Sequence, residues 1–437
     1  MSRAFGMTPA AGKERIRSAR MALLASLALA VAVMVTACGA QAQGAAAPSQ
    51  TLVTIGYFEG RVQRDPQDFI AYAALGREYA QRGRETGDVR LYEQSLHSLE
   101  KSLAIMPNDY AALAQMASIL NTHHRFADAK PLAERAIALK PAKGLGYAAL
   151  GDAELELGNP EAAKAAYLKM TELEPGLASF SRLARFYQNK GEYATARDYW
   201  QQALDASAGA PIENIAWIAV QRGHMSIDEG DTKRAKVEFD AALRRFPDFI
   251  HAIAGKGRAY AAEGNHKKAV SYYQQALKQR ELPEYVIALG DSYTALGRMQ
   301  DAQHAYGKVE SLYAFYEENG INTDIQMAVF AGDHGDSAVA VARGRAAWAA
   351  RHDFVAADAL AWALYKAGNY GEAQKYAELT LAEVANNPLY LFHAGMIAQR
   401  LGDVQMARAH LAMALKLNPS FSPLYAKEAK AILASLR

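Results

Sequence analysis

The chain has 437 residues, of which 51% are hydrophobic and 22% are charged, and its formal net charge is +2 at pH 7. This near-neutral balance argues against a nucleic-acid-binding protein, because such proteins usually present a strongly basic face. A chain of this length would ordinarily form two or three compact domains. The spacing of its small and aromatic residues predicts a different organisation.

The first 37 residues predict an export signal. Residues 1–20 carry five basic side chains against one acid, Glu14, and a largely apolar run follows from Met21 to Ala37. That run has the length of a signal-peptide core and is too short for a comfortable membrane span. Residues 1–37 hold five of the 48 Lys and Arg but one of the 46 Asp and Glu, so the rest of the chain has a charge near −2.

The predicted signal is followed directly by Cys38, the only cysteine of the chain, where Val-Thr-Ala-Cys resembles the lipobox of bacterial lipoproteins. The resemblance implies a signal peptide over 1–37 and lipid on Cys38. Because Gly39 stands where inner-membrane retention usually has an Asp, it also implies an outer-membrane lipoprotein on the periplasmic side. An alternative stays open, since the A-x-A site at Ala40–Ala42 would release a soluble periplasmic protein.

The residues that follow predict a tether and a cap. Residues 38–50 are mostly Ala, Gln, Gly, Pro and Ser, a composition that is typical of a flexible linker. Residues 51–68 fit one amphipathic helix without a partner, with Phe58 at the packing position and Pro66 as the stop. We interpret this helix as an N-terminal cap.

A fixed period organises residues 69–420. A Gly followed five residues later by an Ala recurs along the chain, with the alanines 33 to 39 residues apart. Each period fits two short amphipathic helices, in which small residues allow close crossing and Gly supplies the left-handed turn. The pairs are Gly158/Ala163, Gly191/Ala196, Gly230/Ala235, Gly264/Ala269, Gly297/Ala302, Gly335/Ala340, Gly368/Ala373 and Gly402/Ala407.

This pattern resembles the tetratricopeptide repeat (TPR), and a good copy carries Tyr147, Leu150, Gly151, Ala163, Tyr167 and Pro175. The resemblance implies an all-α fold, a right-handed α-solenoid of about ten helix-turn-helix units over 69–420. Residues 421–437 are expected to form a C-terminal capping helix. Stacked units share one extended core, so the chain does not need to divide into compact domains.

Three stretches depart from the period. Residues 82–88 add about seven residues to the first unit, and we predict a charged loop there, interpreted as a tolerated surface insertion. The junctions at 205–213 and 313–321 are stretched. Each is interpreted either as a flexible joint or as a longer second helix.

No pattern in the chain indicates catalysis, a metal site or a cofactor. Ser98-Leu-Glu-Lys101 matches S-x-x-K, yet the other motifs of that enzyme class are missing. His123 and His124 have no third ligand at metal spacing, so we predict a solvent-exposed turn. Asp333 is likewise assigned to a turn. We therefore expect a non-enzymatic protein.

The family resemblance implies binding on a concave face built from the first helices, at the position one residue after the central small residue. The middle of this face is expected to be polar and its C-terminal end apolar. We expect Arg185 and Arg258 to attract acidic groups, and the aromatic residues to anchor an apolar or helical peptide, although ordinary packing between repeats stays open for them. The predicted peptide-binding residues are Arg185, His224, Arg258, Asp291, Trp362, Tyr365, Phe392 and Met396.

The sequence thus favours an exported lipoprotein scaffold, tethered to the bacterial envelope, that binds partner proteins or peptides and no nucleic acid. Assembly of an envelope machine such as a pilus, a secretion system or a polysaccharide exporter is the expected context. The alternative is a soluble periplasmic solenoid that binds a ligand or glycan, or an accessory subunit of an envelope enzyme.

Overall fold

The structure, a computed structural model, describes residues 50–436, which fall in one compact unit of the chain. The predicted signal peptide over 1–37, Cys38 and the predicted tether up to Ser49 lie outside the described residues. Within 50–436 the regular secondary structure is helical throughout, with turns between the helices.

The helices are numbered α1 to α23 in chain order. Their bounds are α1 Gln50–Arg64, α2 Phe69–Thr86, α3 Arg90–Ile105, α4 Tyr110–Thr122, α5 Phe126–Leu139, α6 Gly144–Glu156, α7 Pro160–Leu173, α8 Leu177–Asn189, α9 Tyr193–Asp205, α10 Ile212–Asp228, α11 Thr232–Arg245, α12 Ile250–Ala262, α13 His266–Leu277, α14 Pro283–Ala295, α15 Met299–Tyr306, α16 Val309–Glu318, α17 Asp324–His334, α18 Ser337–Ala350, α19 Phe354–Lys366, α20 Tyr370–Glu383, α21 Pro388–Arg400, α22 Val404–Leu417 and α23 Ala426–Ser435.

The helices pair in chain order into a solenoid, from unit 1 (α2 and α3) to unit 10 (α21 and α22), with α1 and α23 at its ends. First helices of successive units contact one another, as α4 contacts α6 and α17 contacts α19. Second helices mainly contact the first helices on either side of them. First helices therefore form the inner, concave surface, and the predicted all-α solenoid is confirmed.

The small residues lie where the two helices of a unit cross. A Cβ added to Gly257 would lie 2.9 Å from Cε1 of Tyr273, closer than real Cβ contacts come. Gly264 ends the same first helix with a φ of 75°, the left-handed conformation that glycine adopts without strain. Gly335 differs, because its φ is −141°, so the prediction of a left-handed glycine is wrong at that turn.

The predicted charged loop at 82–88 is wrong. Helix α2 continues through Thr86 and ends at Gly87, so the extra residues lengthen a first helix. They are also not a free surface insertion, because Arg84 Nε lies 3.7 Å from Glu213 Oε2 and Asp88 Oδ2 lies 3.1 Å from Arg280 Nη2. A helical extension satisfies its own backbone hydrogen bonds and places these side chains against unit 5 and the junction after unit 6.

The two stretched junctions have different structures. Residues 206–211 form an irregular connection between α9 and α10. In unit 7 the second helix is divided at Gly307 into α15 and α16 and extends to Glu318. The second junction therefore contains a longer, broken second helix.

Turns of units 1 to 5 contact junctions that follow units 6 to 10, about 190 to 200 residues further along the chain. Arg280 Nη2 lies 3.1 Å from Asp88 Oδ2, and Lys190 Nζ lies 2.8 Å from Glu383 Oε2. The Asn418 side-chain amide donates to the Ile227 carbonyl across 2.9 Å. We call this line of contacts the seam; it joins 86–88, 123–124, 156–158, 190–191 and 227–230 to 280–282, 320–322, 351–353, 383–386 and 418.

The centre of the seam is a buried ionic cluster. Arg351 is 9% exposed and pairs with Glu156 of unit 3 and with Asp353. Burial raises the pKa of the Asp353 carboxyl, although Arg351 acts in the opposite direction. A buried charge that loses its partner is costly. The cluster therefore restrains unit 3 against the junction that follows unit 8.

His123 lies inside the seam, so the prediction of a solvent-exposed turn is wrong. Its side chain is fully buried, its ring packs edge-on against Tyr92 with centroids 6.3 Å apart, and its carbonyl accepts from the Asn322 amide across 3.0 Å. Neither ring nitrogen has a hydrogen-bond partner within residues 50–436. Burial lowers the pKa of the imidazole to about 4, so it is neutral at pH 7.

Candidate functional site

Arg185 lies in the middle of α8 on the concave surface and is exposed. It makes no hydrogen bond or ion pair with any other part of the chain that the structure describes. Arg182, almost one turn earlier, differs because it binds Asp152 with an Nη2 to Oδ2 distance of 2.8 Å. The Arg185 guanidinium is thus available for an external group.

Arg258 of α12 is held in place by two residues of α10. Its Nη1 lies 3.0 Å from Nδ1 of His224, and its Nη2 lies 2.8 Å from Oδ1 of Asp228. Burial, followed by the charge of Arg258, holds the pKa of His224 well below its usual range, so the neutral ring accepts the guanidinium hydrogen bond. The Arg258 side chain is still 45% exposed. We call Arg185 and Arg258, together with the neutral His224, the basic half of the concave surface.

Asp291 marks the end of the basic half. Its carboxylate accepts a hydrogen bond from the Tyr306 hydroxyl across 2.8 Å, and Nε2 of His334 lies 3.3 Å away. His334 stacks on Tyr306 with ring centroids 4.1 Å apart. The predicted binding residue Asp291 therefore already has partners from its own chain.

The aromatic residues predicted to anchor a peptide come together on α19 and α21, where they form one cluster. Trp362 stacks on Tyr365 with centroids 4.8 Å apart and contacts Phe392 at 5.8 Å. Trp362, Phe392 and Met396 are at most 3% exposed, whereas Tyr365 is half-buried. We call these four residues the aromatic groove. They do not face open solvent, because another part of the chain covers them.

The cover is the C-terminal segment, residues 421–436. The ring of Tyr425 stacks on Phe392 at 5.0 Å and meets Trp362 edge-on at 5.4 Å. Phe421 contacts Phe392 at 5.5 Å. The predicted capping helix thus begins at Ala426, later than expected, and the aromatic residues Phe421 and Tyr425 just before it lie in the concave surface.

Asp333, which the sequence placed in a turn, is the polar centre of this contact. One of its carboxylate oxygens accepts from Trp362 Nε1 across 2.6 Å and from the Tyr425 hydroxyl. Burial and this carboxylate raise the pKa of Tyr425, which keeps its hydroxyl a donor. No local sequence pattern indicates this contact, since Asp333 and Tyr425 are 92 residues apart.

A buried polar pair supports the aromatic groove. His393 Nδ1 lies 2.9 Å from Asp358 Oδ1, and both residues are nearly inaccessible to water. The His393 ring stacks on Trp362 with centroids 4.1 Å apart. Trp362 thus stacks on His393 as well as on Tyr365.

Side chains of unit 1 and unit 5 contact each other near the N-terminal end of the concave surface. Gln81 and Arg84 are three positions apart on the first helix α2, so they lie on the same side of that helix. Both contact Glu213 at the start of α10, with Arg84 Nε 3.7 Å from its Oε2. Burial raises the pKa of Glu213. The irregular residues of unit 1 and the first stretched junction thus contact each other.

No cluster of three or more His, Cys, Asp or Glu side chains in residues 50–436 is arranged to hold a metal ion. None of the helices between Gln50 and Ser435 has the length and apolar character needed to cross a membrane.

Comparison with known families gives matches in four parts of the solenoid. Tetratricopeptide repeat profiles match residues 146–176, 177–207, 226–289 and 359–420. The chain is a tetratricopeptide repeat protein. The TPR matches include the helices that carry Arg185, Arg258, Trp362 and Phe392.

Two relatives of this TPR protein come from plants. The Hsp70-Hsp90 organizing protein of Triticum aestivum is 31% identical over 165 residues, which are 37% of this chain and 25% of that protein. The CTR9 homolog of Arabidopsis thaliana is 28% identical over 100 residues, 23% of this chain and 9% of that protein. The chain therefore spans a quarter or less of the length of these relatives.

Among solved structures, PilW, a type IV pilus biogenesis factor, is similar at 17% identity and a TM-score of 0.40, covering 48% of this chain and 96% of that one. The APC/C Cut9-Hcn1 structure is similar at 12% identity and a TM-score of 0.39, covering 89% of this chain and 93% of that chain. Similarity at this level carries no information on function.

Proposed function

We propose that this TPR protein is a non-enzymatic scaffold that binds partner proteins or peptides on its concave surface. The observation that carries the proposal is the basic half, where Arg258 is fixed by His224 and Asp228 and Arg185 has no partner in the described chain. Repeat proteins of this kind use the inner surface of their first helices for recognition.

The chemistry of the basic half favours an acidic segment. A guanidinium group presents several N–H donors in a plane, which suits the two oxygens of a carboxylate. Arg185 meets no competing acid, and Arg258 retains exposed surface beside Asp228. An Asp- or Glu-bearing peptide can therefore pair with both cations without first breaking a buried contact.

The cellular context forms part of the proposal and rests on the sequence. The basic and apolar leader supports export, and the lipobox-like residues before Cys38 support a lipid anchor on the periplasmic side of the outer membrane. In that location the scaffold would hold components of an envelope machine such as a pilus, a secretion system or a polysaccharide exporter.

Crosslinked affinity capture from the native envelope tests the binding surface. Full-length tagged protein is compared with the Arg185→Glu/Arg258→Glu variant and with Arg244→Glu, which reverses an exposed charge on the second helix α11. We expect the double variant to lose partners that the control retains at stoichiometric level. Equal recovery of the same partners by all three proteins would contradict binding at the basic half.

Mass spectrometry of the N-terminal peptide in the same sample tests the anchor. A lipid-modified Cys38 at the mature N-terminus is the expected result. An unmodified N-terminus at Gln43 would instead mean cleavage after Ala42 and a protein without a lipid anchor.

A further inference from the structure

The C-terminal segment has the pattern of a groove-binding helix. Its inward residues recur at Tyr425, Ala426, Ala429, Ile432, Leu433 and Leu436, which is the spacing of one apolar face on an α-helix. Lys427, Glu428 and Lys430 point away from this face and are exposed. Such a helix is the kind of ligand that an apolar groove between helices accepts.

The contacts of this segment reach beyond the unit that it caps. Tyr425 contacts Phe392 in unit 10, Trp362 in unit 9 and Asp333 in unit 8. A cap that only shielded the last unit would have no need to contact unit 8. The segment thus lies along the concave surface as a bound peptide would.

We propose that the C-terminal segment is an intramolecular ligand of the aromatic groove, and that an external segment of the same chemistry displaces it. That external partner is an amphipathic helix with a tyrosine whose hydroxyl reaches Asp333, followed by aliphatic residues on the same face. The proposal rests on the proposed function, namely that the concave surface binds partners, and it adds how the apolar part of that surface is regulated.

The segment is held more weakly than the groove beneath it. Helix α23 has ten residues, a length at which an isolated helix is marginal in water. Ile432, Leu433 and Leu436 remain half-buried, whereas Phe392 is fully buried. A segment with few buried contacts opens at a lower free energy than the core, so residues 421–436 can leave without unfolding α21.

Displacement would uncover a specific site. Phe392 and Trp362 would lose the ring of Tyr425, and the Asp333 carboxylate would lose one of its two donors. Lys366 Nζ, which lies 5.0 Å from the Trp362 ring centroid and 5.7 Å from that of Tyr425, would lose the second of these two ring contacts. A tyrosine-bearing helix restores every one of these contacts.

The test uses full-length protein and a fluorescently labelled synthetic peptide of residues 420–437. Tyr425→Ala removes the stacking ring and the hydroxyl, and Tyr425→Phe removes only the hydroxyl. Tyr57→Ala, at a tyrosine that is 59% exposed on α1, is the control. Hydrogen exchange on each variant verifies that α19 and α21 remain folded.

We expect the peptide to bind Tyr425→Ala at least tenfold more tightly than the wild type or the control, because the competing segment has been weakened. Tyr425→Phe should fall between them, and a peptide with Ala at position 425 should not bind. Equal affinity of all proteins would overturn the proposal. So would the absence of binding to a Tyr425→Ala protein whose C-terminal segment exchanges freely.

Failure of the proposed function gives a different result. If the peptide binds Tyr425→Ala while the arginine variants capture the same envelope partners as the wild type, binding at the basic half is wrong. The intramolecular ligand would still stand in that case.

Discussion

The basic half and the aromatic groove occupy equivalent positions on the first helices, yet they differ in what covers them. Arg185 and Arg258 are exposed in the middle of the solenoid, whereas Trp362 and Phe392 are buried towards its C-terminal end. The repeat position fixes which way a side chain faces. Whether it is open to a partner depends on segments outside the repeat.

The basic half and the aromatic groove should differ most in how far an alanine substitution lowers the free energy of unfolding. Phe392→Ala should lower the free energy of unfolding by about 3 to 5 kcal/mol, since it leaves a cavity under Trp362 and the C-terminal segment. Arg185→Ala should change it by less than about 0.5 kcal/mol, because the side chain is exposed and unpaired in the described chain. Urea denaturation measures both, and similar losses for the two variants would remove the distinction.

The aromatic groove could be predicted from the sequence only in part. The period, the turn glycines and the close crossings predicted the solenoid, and the helix positions assigned Trp362, Phe392 and Met396 to the C-terminal end of the concave surface. Their cover could not be predicted, because the contact between Tyr425 and Asp333 spans 92 residues and no local pattern encodes it. The seam was missed for the same reason, since Arg351 and Glu156 are 195 residues apart.

A second test concerns the seam, which holds the units carrying the two regions against each other. Buried neutral His123 has a pKa near 4, below its ordinary value of 6.5, so the unfolded chain binds a proton more readily. The stabilisation of the fold by neutral His123 is complete above pH 6.5 and is lost as the pH falls towards 4. From pH 7 to pH 5 the wild type should lose about 2 kcal/mol more than His123→Phe.

The control for this pH dependence is His97→Phe, at an exposed histidine of α3. It should retain the slope of the wild type in unfolding free energy against pH. Parallel slopes for wild type and His123→Phe would show that His123 is not buried in solution, and the seam at unit 2 would then be open.

A third variant tests the seam through backbone geometry. Gly158 and Gly264 have φ values of 84° and 75°, so alanine is strained at both, at a cost of about 1 kcal/mol. A Cβ at Gly158 would also clash with the His352 carbonyl oxygen, whereas Gly264 has free space. Gly158→Ala should therefore destabilise the protein by at least about 1 kcal/mol more than Gly264→Ala.

Equal thermal midpoints for these two alanine variants would mean that units 3 and 8 do not touch in solution. The units that carry the basic half and the units that carry the aromatic groove would then move independently of each other.

The smallest expected effect is the difference in stability between two substitutions of Asp by Asn. Asp358→Asn weakens the buried hydrogen bond to His393 and should cost about 1 to 2 kcal/mol, because the groups have no water to replace it. Asp228→Asn, next to the exposed Arg258, should cost less than about 0.5 kcal/mol. Denaturant midpoints compare the two, and the reverse order would contradict the assignment of open and covered regions.

The most direct test of the central claim, that the C-terminal segment covers the aromatic groove, is methionine footprinting of the full-length protein with hydroxyl radicals. Met396 and Met406 lie in the same unit but are 3% and 47% exposed. We predict rapid oxidation of Met406, slow oxidation of Met396, and acceleration at Met396 alone in Tyr425→Ala. Oxidation of Met396 as fast as Met406 in the wild-type protein would contradict the account.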